Sequence, residues 1–239
     1  MNNKIKKRIQ ALQAMANDAS SEHEAMIAAR RLQVLLAKHN ITEDQIEVGS
    51  LGTEQDAAPK GQYVRIIGQS VAKLYFCKFF FTSYKNCGKT QGINVIGSET
   101  YRPVAMSMVK SVITTVDREA RMQSKAHRPH GEDPWAFVCS FRNAAANRIR
   151  ERCEELIDMA CRGELVDEDT GSTLPALVSA YEGQWSVCEQ YGKDKHGLKL
   201  VKHRYKSSSR AGLERGKKLG NNIQLTQQIG KTAPKMIAS

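Results

Sequence analysis

FCKFFFTSYKNCGKTQGINVIG, residues 76–97, decides the fold class of this chain. Phe76 to Thr82 is an aromatic run of the kind that fills a half-buried pleated surface. Asn86-Cys87-Gly88-Lys89 spells a turn, and Gly92-Ile93-Asn94-Val95-Ile96-Gly97 reads as the returning strand. The flanking periodicity is helical. From Tyr63, the residues Val64, Ile67, Val71, Leu74 and Tyr75 recur at helix spacing, and Ser98 is placed to cap a helix over residues 99–125. The expected unit is α-β-β-α: one β-hairpin in a chain that is otherwise mainly helical, an α+β fold.

Towards the C-terminus, HRPHGEDP at 127–134 reads as a loop. A long helix is expected from Trp135 to about Cys161, carrying Phe137, Phe141, Ala144, Ala145, Ile149, Cys153 and Leu156 on one side. Residues 163–171 form an acidic break, and 175–191 read as a further helix. The α+β domain is therefore bounded at 62–192. The remainder, 193–239, holds 12 basic and two acidic residues, so it supplies +10 of the chain's formal net charge of +11. Within it lies SSSRAGLERGKKLG, residues 207–220. On a helix with Gly212 at zero, Gly216 falls at about 40° and Gly220 at about 80°, while the basic residues fall at roughly 140–300°. Glycines on one side and cations on the other imply a closely docked helix with a charged back and a frayed tail beyond it.

Towards the N-terminus, VGSLGTEQDAAPKG at 48–61 is small and polar and reads as a linker. Residues 3–16 repeat Ile5, Ile9, Leu12 and Met15 at helix spacing. Ser21-Glu22-His23-Glu24 is a capping-box spelling that opens a second helix ending near His39. Residues 1–47 are thus a helical hairpin. Glu22, His23, Glu24, Ala25, Leu32, Lys38, His39 and Ile41 give this segment a pattern that resembles the DUF2786 domain. The resemblance covers about 40 residues. It implies a bacteriophage or prophage setting and no established activity, so it assigns no catalytic residue.

The chemistry-bearing patterns are few. A P-loop needs a G-x-x-x-x-G-K-[ST] spacing, and Gly212-Leu213-Glu214-Arg215-Gly216-Lys217-Lys218 departs from it. No GxGxxG or HExxH occurs, and no cofactor is expected. His127-x2-His130 with Cys139 nearby is the one suggestive zinc pattern, and it reads more simply as a solvated histidine pair. Asp167-Glu168-Asp169 are adjacent in a loop, and Glu151, Glu154, Glu155 and Asp158 with Arg148, Arg150 and Arg152 read as a salt-bridged solvent face. The six cysteines contain no CxxC and read as reduced, mostly core residues. No apolar run approaches the ~20 residues of a membrane span, and no signal peptide is evident, so a cytoplasmic protein in a bacterial host cell is expected.

The remaining signal is electrostatic. Lys199, Lys202, Arg204, Lys206, Arg210, Arg215, Lys217 and Lys218 are candidates to neutralise phosphates, and Tyr205 to stack on a base. No DNA-reading motif accompanies them, so binding to DNA or RNA is expected to be largely independent of sequence. Arg118, Arg121, Lys125 and Arg128 form a second basic cluster, explained without a ligand by favourable placement at a helix C-terminus. The leading reading is a non-enzymatic phage or prophage accessory protein that binds nucleic acid. An interaction module directed at an acidic host protein, a defence or transcription factor, comes second, and a metal-dependent nuclease third.

Overall fold

The structure, a computed structural model, describes residues 51–82, 90–98, 101–163, 178–197, 209–223 and 225, with residue 11 in addition. The N-terminal hairpin, the 86–89 turn and the acidic break beyond residue 163 lie outside the described residues. The described elements are β1 (Gly52–Pro59), α1 (Gln62–Leu74), β2 (Lys78–Thr82), β3 (Thr90–Gly97), α2 (Tyr101–His127), α3 (Pro134–Arg162), α4 (Val178–His196) and α5 (Arg210–Asn222). This is a mainly helical α+β fold.

The aromatic run forms β2 and pairs antiparallel with β3, Phe79 opposite Val95 and Phe81 opposite Ile93. Alternation along the two strands divides them between the faces of the sheet. Phe79, Ile93 and Val95 join the main core with α1, α2 and α3, whereas Phe80 and Ile96 pack with Cys188 of α4 on the other face. Because the sheet is covered on both sides, this stretch reads as continuously apolar rather than alternating. Lys73 and Lys78 lie over the Trp185 ring at 4.8 and 4.2 Å, and Lys78 pairs with Glu189 at 3.4 Å, which fixes α4 against the sheet.

Two sequence-level boundaries are corrected. Residues 48–61 contain not a linker but β1, paired antiparallel along the whole of β3, so the sheet has three strands in the order β1-β3-β2. GTEQDAAP has weak strand propensity, and only Ala58 among these residues is buried. The strand forms because β3 would otherwise leave an edge of unpaired backbone groups, and because side chains at alternate positions reach α2. Glu54 pairs with Arg102 at 3.6 Å and Asp56 with Lys110 at 2.5 Å. The second correction is at 192/193, where α4 continues without a break to His196.

Helix ends follow local chemistry. Asp133 caps α3 by accepting from the Trp135 and Ala136 N–H groups, Pro134 occupies the first turn, and Gly163 closes the helix with φ 70°. At the end of α1, Cys77 N donates to Ala72 O and Phe76 N to Lys73 O, the bond pattern of a Schellman motif. Phe76 occupies its left-handed position, φ 57°, where glycine is usual. Its buried ring, 5.4 Å from that of Tyr101, holds it there.

Candidate nucleic-acid interface

The candidate interface centres on α5. Ser209 is fully buried; its hydroxyl accepts from Gly212 N at 2.9 Å while its own N–H donates to Ser140 Oγ at 3.0 Å. This N-cap begins the helix and ties it to α3 at once. Gly212, Gly216 and Gly220 are all buried against α3. A Cβ at Gly212 would lie 2.6 Å from the Phe137 carbonyl oxygen, and one at Gly220 would lie 2.9 Å from that of Ala145. At Gly216 it would overlap the Phe141 carbonyl oxygen. Backbone therefore meets backbone along this seam, the geometry that glycine at every fourth residue permits. The contacts advance together along both helices, so α5 runs parallel to α3.

The far end is fastened by arginine. Arg152 donates to Gly220 O at 2.8 Å and also to Ile223 O, and Arg148 donates to Asn221 Oδ1 at 2.6 Å. Ile223 and Leu225 are buried in the main core, and Tyr75 OH donates to Leu225 O at 3.3 Å.

This docking sorts the expected cations of α5. Lys217 and Lys218 are exposed and have no ion pair among the described residues. Arg210 is exposed and pairs with Glu214 at 3.2 Å. Arg215 is half-buried and donates to Gln123 Oε1 of α2 at 3.1 Å, so it links α5 to α2 as well as carrying charge. Lys199, Lys202, Arg204, Tyr205 and Lys206 lie outside the described residues.

The acidic row of α3 is occupied by cations. Arg148 bonds Glu151 and Glu155, both at 3.0 Å, and Arg150 lies 3.9 Å from Glu154. The two carboxylates raise the Arg148 pKa above its ordinary value. Among the described residues, no three His, Cys, Asp or Glu side chains are grouped to hold a metal ion, so His127, His130 and Cys139 are not brought together as one. Cys77, Cys153 and Cys188 are buried, and desolvation pushes the Cys153 thiol up to about 12.

One polar centre carries no sequence signature. Asp117 of α2 accepts from Tyr63 OH at 3.2 Å, pairs with Arg121 at 2.7 Å, and forms an ion pair with Arg142 of α3. The Arg142 and Asp117 side chains are only 12% and 15% exposed, and the Arg142 guanidinium lies 5.2 Å from the centre of the Tyr63 ring. Burial, then the Asp117 charge, raises the Tyr63 phenol pKa. Trp135, in the first turn of α3, is 68% exposed. It lies about 160° around the helix from Phe137, outside the apolar stripe.

Among the described residues, no helix is long and apolar enough to cross a membrane. No curated protein and no solved structure matches the chain. Residues 4–43 do match a family model, DUF2786, described as a protein of unknown function.

Proposed function

We propose that this chain is a non-enzymatic nucleic-acid-binding accessory protein, in the phage or prophage setting its N-terminal segment implies. It holds the phosphate backbone through its basic C-terminal region. The observation that carries the reading is the disposition of α5. The glycine face is used up in docking, and Lys217 and Lys218 project from the opposite side without acidic partners among the described residues. A rigid helix displaying cations needs no ordering when a polyanion arrives, and each phosphate neutralised releases condensed counterions. Arg210 would exchange its exposed Glu214 partner for phosphate at little cost, because surface pairs of this type contribute ~0–1 kcal/mol.

The test is a gel shift on duplex DNA and on RNA across a salt series. Binding should weaken steeply with salt and vary little with sequence. Lys217→Ala/Lys218→Ala should weaken it uniformly and lower the log–log salt slope by about 2. A protein that retards neither nucleic acid at low salt, or a double variant with the parent's salt slope, would refute the reading.

A further inference from the structure

Beside Asp117 lies an apolar groove of about 350 Å³ between the end of β1 and α2. Ile113 and Pro59 contribute to its lining, Met122 stands at its edge 45% exposed, and Arg118 and Arg121 lie at its mouth with side chains 56% and 66% exposed. Lys125 follows at i+7 from Arg118, so the cations continue along one side of α2 towards its C-terminus. Trp135 precedes Arg142 by seven residues, two helical turns or roughly 10 Å along the same face of α3. Arg142 meets Asp117 in the wall of the groove.

We infer that this groove is a second contact site, specific for single-stranded nucleic acid: an unpaired base enters the groove, Arg118, Arg121 and Lys125 hold the adjoining phosphates, and Trp135 stacks on a neighbouring base. The inference rests on the proposed nucleic-acid binding and adds a strand preference to it. Three features favour this occupant. The groove is apolar and large enough for a flat ring, its rim is cationic, and an exposed indole lies two turns along α3 from Arg142. A duplex keeps its bases stacked inside and can use the cations alone, whereas a single strand can use all three. Helix-dipole placement accounts for the cations but not for the exposed Trp135 and Met122.

The experiment titrates the full-length chain with oligothymidylate, with duplex DNA of equal length and with poly-glutamate. Oligothymidylate should quench tryptophan emission, and the quench should disappear in Trp135→Phe, which leaves Trp185 as the only tryptophan. Trp135→Ala and Met122→Ala should each weaken oligothymidylate binding, the former about tenfold, and leave duplex binding unchanged. Both sites are exposed, so matched thermal melts will show that folding is intact. If Trp135→Ala binds oligothymidylate as tightly as the parent, the inference is overturned, while loss of duplex binding in the Lys217/Lys218 variant would still support the α5 reading. Equal binding of poly-glutamate would replace the single strand with an acidic polypeptide and also overturn it. If no nucleic acid binds, both readings fall together.

Discussion

Replacing Gly216 by alanine sets two well-calibrated effects against each other. Helix propensity alone favours the substitution, because alanine at a helix interior is about 1 kcal/mol better than glycine. Packing opposes it. The new methyl would overlap the Phe141 carbonyl oxygen and approach Ala144 Cβ to 3.0 Å, whereas carbon contacts are optimal at about 3.5–4.0 Å. A backbone carbonyl has no rotamer to swing away, so α5 would have to retreat from α3. A gap of about 0.5–1 Å forfeits a quarter to a half of each dispersion contact along the seam. Overpacking costs ~1–3 kcal/mol, and an obstacle made of backbone belongs at the upper end. The net expectation is a loss of about 2 kcal/mol, or a fall in melting temperature of roughly 4–8 °C for a chain of this size. Gly183 supplies the control. It lies inside α4, and a Cβ there would meet nothing within 4 Å. Gly183→Ala should therefore show the propensity term alone and stabilise by about 0.5–1 kcal/mol. Urea and thermal unfolding of the two variants beside the parent measure both signs. If Gly216→Ala melts at or above the parent, backbone contact does not dock α5, and the outward display of Lys217 and Lys218 loses its basis.

Ser209→Ala removes an N-cap whose hydroxyl is fully buried, and should cost about 1–2 kcal/mol in urea unfolding; an unchanged midpoint would mean that Ser140 holds the α5 start unaided. Asp117→Ala strips the half of the Tyr63–Asp117–Arg142 centre that carries the negative charge, leaving Arg142 unpaired in a mostly buried site, and should destabilise by about 3 kcal/mol, whereas Arg121→Ala, which removes only the exposed partner, should cost under ~1 kcal/mol. Tyr63 ionises with a raised pKa in the folded chain, so its contribution to stability is intact below the ordinary tyrosine pKa of about 10 and is lost as pH rises through the folded value. An alkaline absorbance titration should find buried tyrosines silent until the protein unfolds, and one fewer of them in Tyr63→Phe. Cys153, held at about 12, should resist iodoacetamide at pH 9 in the folded protein and react in urea; labelling at equal rates in both states would contradict its burial.

Much of the fold was legible because local signals and tertiary demands agree. The hairpin followed from aromatic and β-branched residues around a turn. The helix expected from Trp135 is α3, and the structure shows what starts it: the Asp133 carboxylate caps two N–H groups while Pro134 needs no hydrogen bond at that position. The inward stripe of α5 followed from three glycines spaced by four. What the sequence concealed was β1, because GTEQDAAP carries no strand signal of its own: the strand exists through pairing with β3 and through Glu54 and Asp56 reaching Arg102 and Lys110 of α2.

For the candidate site the division is the same. The charge asymmetry is written in composition, since 12 of the 36 basic residues fall in the last 47 positions. Which cations face solvent is not. Lys217, Lys218 and Arg215 are similar residues within four positions, yet Lys217 and Lys218 project outward while Arg215 is drawn to Gln123, because α5 is locked to α3 in one rotation by carbonyl-to-glycine contact. The Asp117 centre depends on where α1, α2 and α3 cross. Periodicity by itself determined which side of each helix is apolar; only the tertiary structure decided how far the apolar layer extends, because burial depends on what stands opposite a residue and not on the residue's own neighbours in the chain.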